Sequence, residues 1–556
     1  MTRSKPAVRA MFAFLLLTLL SPIAAVGTEA QSDDKILRVR QPYYPDTLDP
    51  QKTSFIEEIS VSVLDYEGLT RLDKQQQTVP AAAESWEFNA DGTVVTFHLR
   101  AGLTYADGSP LTAERFRYAA ERACDPNTAA AYAGILFDVV GCQTFAESHG
   151  ENAEPGAYDT AKANLGVKAL DDRTLEVRLT RPVPYFPTIA YTWVFFPVKQ
   201  EIVEQSGEQW WQDPANRIGN GPYSMTRLEP NQLIAFEAND RYWNGRPRLD
   251  GIEFVYIDDA AVALEAYKAG DLHVTQLDSS LIPAIQNDPV LNPEVLKYAA
   301  AVTIKLAMDL KSEPFNDKKV REAFAYALDR ETFCNEIRNG DCTATLSWIP
   351  EGVPGAIETD AYAFDPEKAR EALAQSSYGG PDNFPPVTFT YLTDDPAERP
   401  RAEWLAGQYR DILGVMIELE GLDSTTLASL AKEPETFPQL LWLGWGQDYP
   451  DPQNWLSIYW TCDTTLYARQ SGYCNAQFDE IIARADQELH PETRIGLYEE
   501  AGRLLVADVP AVFVYNMANV FLVKPEVSGY VPTSADATWP GQWTSLLTVD
   551  LGAAAA

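Results

Sequence analysis

The feature that most constrains this chain is a repeated change of hydrophobic period. "PVTFTYL" (386–392) is a short run of β-branched and aromatic residues. "RAEWLAGQYRDILGV" (401–415) spaces its apolar positions as one helix face does, and "MIELEGL" (416–422) returns to alternation. The stretch reads β-α-β. The exchange recurs elsewhere. "KILRVR" (35–40) reads as a strand ahead of a helix in "SFIEEISVSVLDYEGLTRLD" (54–73). "TVVTFHLR" (93–100) is a strand, followed by a turn at "ADGSP" and a helix opening near Thr112. "GIEFVYI" (251–257) precedes an amphipathic helix stopped by Gly270. "DKKVREAFAYALDRETFCNEI" (317–337) reads as a helix with Val320, Phe324 and Leu328 on one face. Two further helices and then strands fill 476–523. Strands alternating with helices predict an α/β protein. At 556 residues the chain is too long for one core, so two to four domains are expected.

Function classes narrow with charge and motifs. The net charge is −36, from 80 acidic and 44 basic residues. Nucleic acid and anionic lipid both demand Lys/Arg-rich surface, so neither is an expected partner. The chain holds four histidines, His98, His149, His273 and His490, and no HExxH, GxSxG or Walker pattern. No cofactor is expected. The first thirty residues follow the order of a secretory signal: basic "MTRSKPAVR", apolar "AMFAFLLLTLL", then small residues. No cysteine precedes Cys124, so an exported, unlipidated protein is expected.

Six cysteines allow 15 pairings. They fall as near neighbours separated by 18, 8 and 12 positions, and export favours oxidation. Cys124–Cys142, Cys334–Cys342 and Cys462–Cys474 are therefore expected as local disulfides, with zinc disfavoured by the absence of CxxC.

"GWGQDYPDPQNW" (444–455) concentrates Asp448 and Asp451 among Trp445, Tyr449 and Trp455. A carboxylate beside apolar walls is costly without a partner, which leaves a proton, a metal or a ligand cation as candidates. An acid/base pair for glycoside hydrolysis is one reading and a metal loop another. Asp451, between two prolines, reads as turn structure, with Asn454 as a helix-start cap.

From about residue 37 to 545 the chain resembles the extracellular solute-binding proteins, family 5, the oligopeptide- and dipeptide-binding subunits of ABC importers. "LDPQKT", "YEGLTRLD", "PAAAESWEFNADGTVVTFHLRAGLTYADGSPLTAERFRYAAER", "NGPYSMTRLEPNQLIAFEANDRYWNGRP", "PFNDKKVREAFAYALDRETF" and "GWGQDYPDPQNW" come in the family's order. The resemblance implies a two-lobed, type II periplasmic-binding-protein fold of three domains on a hinge. Domain I would comprise 36–68, 201–295 and 525–550, domain II 69–200 and domain III 296–524. It implies capture of a peptide between closing lobes, delivery to a membrane permease and its ATPase, and a monomer that does no chemistry on its cargo. Asp448, in the family's "DY" motif, would take a peptide's α-amino end, in a cleft lined by Trp445 and Tyr449. Arg399 and Arg401 would hold a cargo carboxylate. Where relatives carry a Trp, this chain aligns Asp423, a departure that leaves an opine, a sugar conjugate or a nickel complex as alternative cargo. A secreted carbohydrate-active hydrolase using Asp448 and Asp451 is the alternative from another class.

Overall fold

The computed structural model describes residues 34–149, 155–464, 466–536, 539, 541 and 545–552. The expected signal segment, 1–30, lies outside them. Among the described residues no helix is long and apolar enough to cross a membrane.

An eleven-stranded mixed sheet runs through the molecule. Its order begins with Ile417–Leu422, Val387–Leu392, Leu440–Gly446, Val295–Met308 and Ala511–Val523. It continues with Val274–Gln276, Ile36–Gln41, Gly251–Tyr256, Leu233–Ala238 and Tyr223–Glu229. Cys342–Ala344 adds to Ala511–Val523 off this path. The β-α-β reading holds: Val387–Leu392 and Ile417–Leu422 pair in parallel around the helix Glu398–Leu413. A separate four-stranded sheet is built within 83–178.

The cores divide along the same line. One takes apolar residues between Leu37 and Phe254 together with the returning chain from Phe521 to Val549. Two others lie between Ala301 and Tyr515. The long strands Val295–Met308 and Ala511–Val523 cross from one side to the other, and their register breaks at the crossing. Val295–Ala299 pair with Leu522–Ala518, and pairing resumes only at Thr303 with Asn516. Ala300–Val302 are thereby freed from that ladder. A bulge of this kind bends a strand and re-aims its neighbours, and it is a common device beside binding sites.

Local sequence explains most boundaries. The helix Ala260–Ala269 starts at Asp259, whose carboxylate accepts from Val262 N–H, and ends at Gly270 with φ +86°. The helix expected over 317–337 is broken. It stops at Ala327, Leu328 is extended, and the Asp329 side chain accepts from Thr332 N–H at 3.0 Å to open a new turn. A cap inside an otherwise periodic run thus outweighs the apolar stripe. All three expected disulfides are present, Cys124–Cys142, Cys334–Cys342 and Cys462–Cys474.

Candidate functional site

Asp448 sits just past the strand Leu440–Gly446, where the two sides of the molecule meet. Its backbone N–H donates to Asn454 Oδ1 at 2.9 Å, and Asn454 Nδ2 returns a bond to Asp448 Oδ2 at 3.0 Å. From the other lobe, Tyr132 Oη donates to Asp448 Oδ1 at 3.2 Å and Tyr191 Oη to the Asp448 carbonyl at 3.2 Å. Among the described residues no basic side chain pairs with this carboxylate. Burial pushes its carboxyl above the ordinary range, against the opposing bonds from Asn454 and Tyr132. A half-buried carboxylate with neutral donors only can accept a further hydrogen bond from a cation.

Two cavities meet at Asp448, with Tyr132 bordering both. One, of about 320 Å³, is lined mainly by apolar residues: Ile56, Ile59, Tyr191, Trp193 and Ala300–Val302, with Gln447 beside the acid. The other, of about 680 Å³, is mixed: Ile135, Phe137, Ile189 and Ile458 line it beside Gln143, Thr180, Gln453, Asn454 and the Asp138–Arg181 pair (2.8 Å).

The neighbouring acid has a different task. Asp451 is buried, caps the helix Pro452–Trp455 by accepting from Gln453 N–H, and pairs through both oxygens with Arg494 at 2.6 and 2.7 Å. Both oxygens are committed, which leaves none for an acid/base partnership with Asp448. Asn454 is not the helix-start cap. It lies inside that helix and is spent on Asp448, because Asp451 already supplies the cap one residue ahead of the helix.

The other candidates scatter. Tyr449 is buried, stacks on Tyr185 at 6.2 Å between centroids, donates to Gln453 and borders the larger cavity. Trp445 packs against Tyr459 at 5.1 Å and lines neither cavity. Arg399 and Arg401 lie in the first turn of the helix Glu398–Leu413 rather than ahead of it. Arg399 is exposed and pairs with Glu403 at 3.0 Å, and Arg401 is buried against Glu398 at 2.6 Å. Asp423 is exposed and caps the helix Ser424–Lys432 through Thr426. None of these three lines either cavity.

Sequence reasoning missed Tyr132, Tyr191, Trp193, Ile56 and the bulge at Ala300–Val302, which no motif marks. Gln447 lies inside "GWGQDYPDPQNW". A polar side chain between a Gly and the acid was its only signal.

The comparisons agree with this architecture. The model of the bacterial extracellular solute-binding proteins, family 5 (middle) matches residues 77–466. The periplasmic oligopeptide-binding protein OppA of Salmonella typhimurium is 32% identical over 502 residues, 87% of each chain. YgiS of Escherichia coli, described as a probable deoxycholate-binding periplasmic protein, is 30% identical over 532 residues, 92% of this chain and 94% of its own. The crystal structure of Haemophilus influenzae OppA in complex with RPPGFSPFR superposes with a TM-score of 0.67 at 26% identity, covering 93% of this chain and 99% of that one. This chain belongs to the bacterial extracellular solute-binding proteins, family 5, and has their two-lobed type II fold.

Proposed function

We propose that this protein is the substrate-binding subunit of an ABC importer and captures peptides by their free α-amino end. The observation that carries the reading is Asp448, held by neutral donors at the junction of two cavities between the lobes. An incoming ammonium satisfies it with a charge-assisted bond in a poorly hydrated place. The strand leading to it supports an extended cargo. Leu440–Gly446 pairs along Val302–Met308 on one edge, but Val387–Leu392 covers only Leu440 and Leu441 on the other. An extended peptide can add to such an edge through its backbone. The names of the Salmonella and Haemophilus relatives favour the same cargo.

The YgiS name raises a bile acid as a rival. The cavity beside Asp448 offers no basic side chain to a carboxylate, and Arg181 in the other cavity is paired with Asp138. An anionic cargo would meet Asp448 with like charge. Carboxylate capture at Arg399 or Arg401 is a weaker proposal, since both already serve acids on their own helix.

In the division into domain I (36–68, 201–295, 525–550), domain II (69–200) and domain III (296–524), the separate sheet within 83–178 favours domain II and the cores within 301–515 favour domain III, while domains I and II share one core. Export without a lipid anchor, a monomeric state, delivery to a permease and the absence of chemistry on the cargo belong to the same proposal.

Calorimetry with free and N-acetylated peptides on wild type and Asp448→Asn tests it. Wild type should reject the acetylated peptide. The variant should lose about 2–5 kcal/mol with the free one, roughly thirtyfold or more. Equal binding of both peptides by both proteins would remove Asp448 from the amine site.

A further inference from the structure

The two cavities that meet at Asp448 differ in chemistry, and the smaller has the form of a side-chain compartment. Its walls are mainly Ile56, Ile59, Trp193 and the bulged Ala300, Ala301 and Val302, with hydroxyls from Ser54 and Ser534 among them. Ile56 is 44% exposed, an apolar side chain left uncovered where most of its kind are buried. The alanines keep the floor low. Gly446 keeps one wall thin, since a Cβ there would meet Val302 at 3.4 Å. Beside the acid, Gln447 Nε2 is fixed by Gln76 Oε1 at 3.0 Å, and its buried Oε1 receives no donor among the described residues. The compartment therefore presents two acceptors, Asp448 and Gln447 Oε1, at the edge of a mostly apolar hollow.

We infer that this compartment takes the side chain of the cargo's first residue and selects apolar ones. The preferred cargo is then a peptide with a free α-amino group on an aliphatic first residue. The inference rests on the reading of Asp448 as the amine site. Asp448 and Gln447 Oε1 accept two of the ammonium's three N–H groups. The adjoining side chain is carried into the hollow, where an aliphatic group drives water from Ile56, Ile59 and Trp193. A carboxylate or ammonium in that position gives up hydration that the hydroxyls of Ser54, Ser534, Tyr132 and Tyr191 replace only in part, and a hydroxyl gains nothing from the apolar walls. The larger, mixed cavity sets Gln143, Thr180 and the Asp138–Arg181 pair beside its apolar residues and discriminates less sharply.

The test is calorimetry with tripeptides that share their last two residues and begin with Leu, Val, Ser, Asp or Lys. Leu- and Val-first peptides should bind about tenfold or more tightly than the Ser-first one, the scale set by burying one aliphatic side chain. Ile56→Ser changes an exposed residue outside the core and should narrow the Leu/Ser ratio several-fold. Ala300→Leu fills the floor and should reverse the order, favouring a Gly-first peptide over the Leu-first one. If Ala300→Leu loses its near-UV dichroism, the Ile56→Ser ratio decides alone. Equal affinities across the set in wild type, or a ratio unmoved by Ile56→Ser, would overturn the selectivity and leave the peptide reading standing. Failure of every free-amine peptide to bind would overturn both.

Discussion

Burial makes the Asp448 carboxylate costly to keep ionised, so if it takes the cargo's ammonium, binding depends on pH. Its carboxyl is raised by burial, and the ammonium needs it ionised. Peptide affinity should fall as the pH drops through that raised value, earlier than an ordinary carboxyl near 3.8 would dictate. Titration calorimetry between about pH 4 and 8 reads this directly. Asp448→Asn should flatten the profile, and an unchanged profile would assign the dependence elsewhere. Glu67 shows the same physics without a ligand. It is fully buried, accepts from Tyr242 and Trp243, and burial pushes it up to about 7 from 4.5. The folded state then binds the proton more tightly than the unfolded one, so stability falls as pH rises from about 4.5 to 7. Glu67→Gln should remove that slope, up to roughly 3 kcal/mol across the window. Denaturant melts at several pH values measure it, and parallel curves for both proteins would refute it. Asp448 was legible in the sequence because an acid among aromatics asks for a partner. Tyr132, which supplies one of its bonds, lies 316 positions away, and no local pattern announces such a meeting.

At the scale of elements, the turn that carries Asp448 is fixed by its neighbour. Asp451 caps the helix Pro452–Trp455 and is clamped by Arg494 from the helix Pro491–Asp508. Arg494 also lies over the Tyr185 ring at 5.3 Å and donates to Tyr498 Oη at 3.1 Å. Arg494→Ala leaves a buried carboxylate unpaired, which typically costs about 3–5 kcal/mol. The double variant Asp451→Asn/Arg494→Met should recover part of that loss, because no lone charge remains. Urea unfolding distinguishes the cases, and a single variant as stable as wild type would show that the pair contributes nothing. Periodicity made the β-α-β unit and most helices readable. It failed at Leu328–Asp329, where a side-chain cap interrupts an intact apolar stripe, and at Ala300–Val302, where a bulge leaves no compositional mark. Arg399, Arg401 and Asp423 looked like site residues because charge near a helix start attracts notice. Helix starts also consume charge, and there each has its own partner.

For the whole molecule, the resemblance over most of the chain made the two-lobed fold legible, while the contacts that join the lobes were not, since they are made by residues far apart in sequence. If the lobes close on cargo, those contacts make closure depend on it. In this structure Tyr132 and Tyr191 reach Asp448 across the lobes and Tyr185 lies beside Tyr449, which takes water from a carboxylate that no basic side chain pairs with among the described residues. Two neutral donors offset only part of that desolvation, so the empty protein has a reason to stay open. An ammonium removes the penalty in the closed state alone, and a ligand shifts an equilibrium only by such a difference. Wild type should therefore compact on binding a free-amine peptide, read as a smaller radius of gyration by small-angle scattering. Asp448→Asn keeps the size and a donor–acceptor side chain but drops the charge. Without peptide it should already be more compact than empty wild type, and peptide should change it little. If the empty variant scatters like empty wild type while peptide still compacts both, the charge on Asp448 does not govern closure, and the hinge is biased by some other difference between the two states.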